Sequence, residues 1–84
     1  MQTQGTVEFA NGPMGRLALR VADGSYVLAE QLDVQPLRAG QELSGEMDTV
    51  GTEVLTDRHA PLKYTVFIVA YGLSREAVEQ ELAA

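Results

Sequence analysis

The sequence predicts a single small β-rich domain of the α+β class over residues 1–84. A barrel of five to six strands over residues 5–71 precedes one short C-terminal helix over residues 74–83. Two observations lead to this prediction. Short segments of alternating apolar and polar residues, typical of half-buried strands, are separated by turns rich in Gly and Pro. Helix signals occur only at the C-terminal end, and a chain of 84 residues is long enough for one domain.

The first two strands are predicted from alternation alone. Residues 6–10 and 16–21 alternate, and the segment between them, residues 11–15, is a loop by its Gly and Pro content.

A hairpin turn is predicted next, at Asp23-Gly24. This dipeptide between alternating segments favours a two-residue type I′ turn, because it tolerates positive φ at both turn positions. The turn would place Leu17 opposite Glu30, which puts a carboxylate at the edge of an apolar face. Since opposed residues share a face, the turn predicts one apolar face across the hairpin. Its members are Leu17, Leu19, Val21, Tyr26 and Leu28.

The middle of the chain predicts two further strands. Residues 32–41 form a connection, with room for one helical turn. Residues 41–47 alternate, and Gly45 within them predicts a bulge or a sharp bend of the kind that closes a barrel. A short fifth strand over residues 52–56 and a loop over residues 57–61 follow.

The last strand is apolar on both of its faces. Residues 63–71 have the sequence KYTVFIVAY, which is rich in β-branched and aromatic residues. Such a strand is central, or it is covered on its second face by a helix or by another chain. The candidate protein interface on this strand consists of Tyr64, Val66, Phe67, Ile68, Val69 and Tyr71.

The C-terminal helix is predicted from its first turn. Ser74 is a suitable N-cap, and Glu76 carries negative charge near the positive end of the helix dipole. Leu73 and Val78 occupy the two positions of a hydrophobic staple. A helix this short is marginal in isolation, so we expect it to dock its apolar side on the barrel.

Charge is distributed unevenly along the chain. The formal net charge is −6, and segment 30–57 carries all of the imbalance, with seven acidic residues and one basic residue, Arg38. Such a segment repels a phosphate backbone and attracts a basic partner, although it also serves to keep a small protein in solution. The candidate acidic surface consists of Glu42, Glu46, Asp48 and Glu53.

The strand order resembles the OB barrel, and in particular its cold-shock layout, over residues 5–56. The matching stretches are GTVEFAN (5–11), MGRLAL (14–19), DGSYVLAE (23–30) and LRAGQEL (37–43). An SH3-like barrel is the alternative topology, and in either case we expect a partly open barrel. The resemblance implies single-stranded nucleic-acid binding by base stacking and cationic contacts. Of the family's stacking positions only Phe9 keeps a ring, and the chain instead has Glu8, Ala10, Arg16, Ala18, Leu28 and Glu30 at the family's binding positions.

Catalytic and metal chemistry have little support in the sequence. His59 is a candidate general base oriented by Asp57, or else part of a polar loop before Pro61. The chain has no Cys and one His, which disfavours a structural zinc site, and the carboxylate spacing matches no calcium loop. We therefore predict no enzyme, no cofactor and no metal site.

The function predicted from the sequence is a non-enzymatic protein-binding or assembly module. Its partner is another protein or a second copy of the chain, and a homodimer is favoured because a short chain has a thin core. The alternative is a single-stranded nucleic-acid binder that uses Phe9, Arg16 and Arg20. The N-terminus shows no secretory signal and no apolar run is long enough to span a bilayer, so we expect a cytoplasmic protein without a membrane partner.

Overall fold

The computed structural model describes residues 3–10 and 15–83. Within these residues it confirms a small β-rich barrel that ends in one short helix. The predicted loop at residues 11–15 lies almost wholly outside the described part. The elements in chain order are β1 (Thr3–Phe9), β2 (Arg16–Val21), β3 (Tyr26–Gln31), β4 (Glu42–Gly45), β5 (Gly51–Asp57), β6 (Lys63–Leu73) and α1 (Arg75–Ala83).

The barrel is closed, whereas the sequence suggested a partly open one. The strand order is β1-β2-β3-β6-β5-β4, and β4 pairs with β1 to complete the circle. All six neighbouring pairs are antiparallel. Closure leaves none of the described strands with a free edge, so the fold does not invite a partner to pair along an edge.

The β2–β3 hairpin differs from the prediction by one residue. Val21 N–H donates to Ser25 O at 2.9 Å, and Leu19 lies opposite Val27 where a two-residue turn would place Leu28. The loop therefore has three residues, and its last one, Gly24, has φ of +87°. Three-residue hairpin loops use a left-handed residue at this position, which glycine adopts at the least steric cost.

The one-residue shift reverses the two faces of β3, so the predicted apolar face was wrong. A one-residue slip moves each side chain of a strand to the other face. Val27 and Ala29 lie inside the barrel with Leu17 and Leu19, and Tyr26 and Leu28 lie outside it. The interior core consists of Val7, Leu17, Leu19, Val27, Ala29, Leu37, Leu43, Met47, Leu55, Tyr64, Val66 and Ile68.

A second apolar cluster lies outside the barrel, beneath α1. Val78 of the helix is fully buried, and it packs with Ala18, Tyr26 and Leu28 on the outer face of β2 and β3. Partly buried side chains complete this helix cluster: Phe9, Val69, Leu73 and Leu82. The helix thus docks on the barrel as predicted, and it covers the first half of the sheet.

Both ends of α1 are fixed by polar contacts. Ser74 is the N-cap: its Oγ accepts from Ala77 N–H at 3.1 Å, and its carbonyl accepts from Val78 N–H at 3.1 Å. At the C-terminal end, Arg16 Nη1 of β2 donates to the carbonyl oxygen of Glu81 at 3.1 Å. The Ser74 and Arg16 side chains therefore bond backbone N–H and C=O groups that have no partner within the helix.

The connection over residues 32–41 closes one end of the barrel and contains no helical turn. Leu37 enters the interior core. The buried Tyr64 hydroxyl donates to Pro36 O at 3.1 Å and accepts from Gln41 Nε2 at 2.9 Å, and the same nitrogen donates to Asp57 Oδ2 at 3.0 Å. This hydroxyl joins the connection to β6 at the closed end.

Gly45 is required by the close approach of β4 and β5. Its φ is +158°, and a Cβ atom at this position would lie 2.7 Å from Leu55 Cδ2 and 3.0 Å from the carbonyl oxygen of Val54. A side chain there would force β4 and β5 apart.

Replacing Val78 with Ala tests the helix cluster. Val78→Ala should lower the free energy of unfolding by about 2 kcal/mol, because it removes two buried methyl groups and leaves a cavity. The measurement is urea denaturation followed by circular dichroism, and Gln80→Ala on the exposed side of the helix is the control. Equal midpoints for both variants would contradict the docking of α1.

Replacing Tyr64 with Phe tests the closure of the barrel end. Tyr64→Phe should lower the free energy of unfolding by about 1–2 kcal/mol, since it leaves Pro36 O without its hydrogen bond. Tyr71→Phe is the matched control, because the Tyr71 hydroxyl makes no hydrogen bond with another described residue and the side chain is exposed. The two variants are compared by urea denaturation, and equal losses would argue against the network.

Candidate protein interface

Half of the interface predicted on β6 lies in the interior core. Tyr64, Val66 and Ile68 are fully buried and point into the barrel. The prediction that these three side chains contact a partner is therefore wrong. Their apolarity serves the barrel core, which the alternation of a strand assigns to every second residue.

The outward side chains of β6 have three different surroundings. Val69 is partly buried against the helix cluster. Phe67 remains 38% exposed, and Tyr71 remains 47% exposed near the end of the strand. The helix therefore covers one of the three predicted outward residues and leaves the other two accessible.

Phe67 belongs to an exposed surface that extends over β5 and β6 and onto the residue that follows β3. Phe67 lies opposite Thr52 of β5, and Val54 lies opposite Thr65. On the other side of β6, Leu32 N–H donates to Thr65 O at 2.8 Å, which places Leu32 beside the same threonine. We refer to Leu32, Thr52, Val54, Thr65 and Phe67 as the β5–β6 outer face.

Large apolar side chains make this face unusual for a surface of a small protein. Leu32 is 55% exposed and Val54 is 51% exposed, and both adjoin Thr65, next to Phe67. Contiguous exposed apolar side chains mark interaction surfaces more often than isolated ones do. The β5–β6 outer face is therefore the best candidate for a protein interface.

Leu32 and Val54 did not appear among the predicted interface residues. Val54 is next to Leu55, and two adjacent apolar residues on a short strand do not reveal which of them points inward. Leu32 belongs to a segment that was predicted as a connection. The pairing of β3 with β6 brings Leu32 onto the sheet, and this long-range contact has no local sequence signal.

Asp33 holds the end of β3 against β6 beside this face. Its Oδ2 accepts from Thr65 N–H at 2.7 Å, and its Oδ1 accepts from Gln31 Nε2 at 2.7 Å. Burial acts to raise the pKa of Asp33, but hydrogen bonds from Thr65, Gln31 and Gln35 outweigh it and lower the pKa below the usual value. The ionised carboxylate therefore fixes Leu32 in its position next to Thr65.

The four residues of the predicted acidic surface do not form one site. Glu42 lies at one end of the barrel, beside Arg58 and His59, whereas Asp48 lines the opposite end. Glu46 directly follows β4, and Glu53 lies on β5, opposite Val66 of β6. Among the described residues, no three His, Asp or Glu side chains are placed to hold a metal ion.

His59 interacts with Glu42, and the predicted orientation of its ring by Asp57 is wrong. His59 Nε2 lies 2.7 Å from Glu42 Oε1, while Asp57 Oδ1 accepts from the backbone N–H of His59 at 2.7 Å. The hydrogen bond with His59 is the main cause that lowers the pKa of Glu42, with a smaller contribution from Arg58. The imidazole is largely exposed, and its carboxylate partner lies on β4.

The residues predicted to contact nucleic acid make contacts within the protein. Arg16 pairs with Glu30 at 3.5 Å in addition to its bond to the helix end. Arg20 Nε donates to Glu8 Oε2. The guanidinium of Arg75 lies 5.7 Å from the centre of the Phe9 ring, over one side of it.

The same carboxylate, Glu8, joins the helix to the barrel. Its Oε1 lies 3.3 Å from Arg75 Nη1 and accepts from the Tyr26 hydroxyl at 3.3 Å. Charge interaction with Tyr26 is the main cause that raises the pKa of Arg75, followed by Glu79. The outer face of β1 to β3 is thus occupied by the helix and its polar contacts.

A shallow groove beside β1 and β2 has cations that are already paired. It measures about 200 Å³ and is lined in part by Arg20, Glu42 and Arg58. Arg20 pairs with Glu8, and Arg58 lies 3.5 Å from Glu42. This groove therefore has no unpaired described cation for an anionic ligand.

Comparisons with known proteins add no functional assignment. No family model, curated protein or solved structure matches the chain. In the described part of the chain, no helix has the length and apolarity needed to cross a bilayer. Candidate functions therefore rest on the surfaces described above.

Replacing His59 with Ala tests the contact with Glu42. His59→Ala should raise the pKa of Glu42 toward its ordinary value, because the carboxylate loses its strongest hydrogen bond. Carboxyl ¹³C NMR titration measures this pKa, and Arg58→Ala should raise it less. Because the pKa of Glu42 is lowered in the folded protein, its carboxylate stabilises the fold at pH values above the ordinary carboxyl pKa. That stabilisation is lost as the pH falls through the lowered pKa. An unchanged Glu42 pKa in His59→Ala would argue against the contact.

Proposed function

We propose that this protein is a non-enzymatic protein-binding or assembly module that docks its partner on the β5–β6 outer face. The observation that carries the proposal is the exposure of Leu32, Val54 and Phe67 around Thr65 on one face of a barrel. Such side chains are the usual anchors of a protein contact, since burying them removes apolar surface from water.

The position of the helix supports the choice of this face. Val78 buries the outer residues Ala18 and Leu28 of β2 and β3, so that half of the sheet is already covered. Val54 of β5 and Phe67 of β6 have no comparable cover within the described part of the chain. A partner on this face would complete a layer over the sheet, much as α1 does on the other half.

The charge of the surrounding segment favours a basic partner over a second copy of the chain. Leu32 and Val54 both belong to segment 30–57, which carries the whole net charge of −6. Self-association through this face would bring two such segments together and oppose binding by like-charge repulsion. A partner with apolar side chains and a basic rim matches both properties of the face.

The fold does not depend on a partner for its core. Sixteen apolar residues are buried within the described chain, and the barrel closes on itself. These residues are therefore buried without a second copy of the chain.

Polar substitutions on the face test the proposal. Val54→Thr and Phe67→Thr place a residue with high strand propensity on each strand and remove apolar contact surface. Each should weaken capture of a basic partner by at least about fivefold, because losing an interface anchor costs more than about 1 kcal/mol. The measurement is quantitative capture from a lysate of the native host on the immobilised full chain.

Val34→Thr is the matched control for this experiment. Val34 is 99% exposed and lies outside the sheet, so the same chemical change should leave capture unaffected. Urea denaturation confirms that all variants fold. Equal capture by Val54→Thr and Val34→Thr would contradict the proposal.

Two further measurements separate the alternatives. Light scattering across a dilution series detects self-association, and a dimer that Phe67→Thr dissociates would assign the face to a second copy. Titration of a labelled single-stranded oligonucleotide at low salt detects nucleic-acid binding, since low salt exaggerates electrostatic affinity. Binding that Arg20→Ala abolishes and Val54→Thr leaves unchanged would favour a nucleic-acid role instead.

A further inference from the structure

The two ends of the barrel differ in how they are closed. The end at Tyr64 is filled by Leu37 and by the hydrogen bonds of the connection. The opposite end, formed by the β2–β3 loop, the end of β6 and the segment after β4, contains a cavity of about 270 Å³. We refer to this cavity as the barrel mouth.

The floor of the barrel mouth is apolar, and its rim is acidic. Val21, Val27 and Met47 line the floor, and Asp23, Asp48 and Tyr71 are among the residues of the rim. No described basic residue lines the cavity. A site with this lining suits a cation that is carried on an apolar stem, because the stem can contact the floor while the charge meets the carboxylates.

Both rim carboxylates have oxygen atoms available for a ligand. Asp23 Oδ1 accepts from the N–H and the hydroxyl of Ser25, at 2.9 and 2.7 Å, and its Oδ2 accepts no hydrogen bond from another described residue. Asp48 is exposed and has no hydrogen bond or ion pair among the described residues. The two hydrogen bonds from Ser25, led by that of its hydroxyl, lower the pKa of Asp23, so this group is ionised at neutral pH.

Tyr71 supplies an aromatic ring at the same rim. It is 47% exposed, and no ring contact with a described cation is recorded for it. An ammonium group over the face of such a ring is attracted by the ring quadrupole. The carboxylates, the Tyr71 ring and the apolar floor therefore all favour the same kind of ligand, a cation carried on an apolar stem.

We infer that the barrel mouth binds the side chain of a lysine presented by the protein partner. The cavity is smaller than the usual sites for drug-sized ligands, about 300–1,000 Å³, and suits a single side chain. The ammonium group is a compact charge on a four-carbon stem, which fits a rim of separate carboxylates above an apolar floor. The inference rests on the proposed function for the source of the lysine, whereas the site itself is tested without any partner.

The first experiment titrates the ¹⁵N-labelled full chain with n-pentylammonium chloride and follows its amide signals by NMR. Saturable shifts should appear at Val27, Met47, Asp48 and Tyr71. The neutral isostere 1-pentanol and sodium chloride at equal ionic strength should not reproduce them. Absence of saturable shifts at these residues, or equal shifts with 1-pentanol, would overturn the inference.

Two variants assign the binding to the rim. Asp48→Asn should weaken pentylammonium binding by about three- to tenfold, since it removes a charge that faces the ligand. Tyr71→Leu should weaken it by about two- to fivefold. Glu81→Gln is the matched control, because it removes one exposed carboxylate from the helix, and it should leave the affinity unchanged. Equal losses in Asp48→Asn and Glu81→Gln would show a diffuse charge effect and overturn the inference.

A second arm distinguishes a lysine side chain from a free amine. The peptide acetyl-Gly-Gly-Lys-Gly-Gly-amide should shift the same signals, and its Nε-acetylated form should not, because acetylation removes the charge. Binding of pentylammonium without the peptide would assign the mouth to a small free amine and overturn the lysine assignment. Tighter binding of an arginine peptide would overturn it as well.

Failure of this inference is distinguishable from failure of the proposed function. The titrations use no partner protein, and capture on the β5–β6 outer face is measured with Val54→Thr and Phe67→Thr, which do not line the mouth.

Discussion

The three-residue loop between β2 and β3 is the constraint on which the remaining structure depends. It places Leu19 opposite Val27 and so directs Val27 and Ala29 into the barrel. The same register directs Tyr26 and Leu28 outward, where Val78 of the helix covers them. Shifting the register by one residue would exchange these two sets and place Val27 and Ala29 beneath the helix in place of Tyr26 and Leu28.

Docking of the helix then decides which part of the barrel surface is available for binding. Arg16 contacts the helix end, and Arg75 extends from the helix start to Glu8 and over the Phe9 ring. Phe9 and Arg16, which were predicted as nucleic-acid contacts, thereby help to hold the helix in place. Exposed apolar surface is left on β5 and β6, and a cavity is left at the barrel mouth.

Local rules predicted the elements, and long-range contacts decided the rest. Alternation located the strands, and Ser74 with Leu73 and Val78 located the start of the helix, because these signals lie within a few residues of one another. The register of the hairpin was ambiguous, since Asp-Gly also fits the end of a three-residue loop. Glu30 on a predicted apolar face was the one sign of the error, and the structure pairs it with Arg16. The contact of Tyr64 with Pro36 joins distant segments, so no local pattern could have located it.

Apolar contact and charge have separate roles on the proposed binding surface. Exposed apolar groups such as Val54 supply affinity for any partner of suitable shape, including a second copy of the chain. Charge discriminates among those partners, because segment 30–57 contains Leu32 and Val54 of the outer face as well as Asp48 of the mouth. Two copies that met there would each bring the same unbalanced carboxylates and would repel one another, whereas a basic partner would be attracted. We therefore propose that the acidic segment makes this apolar surface selective for basic partners.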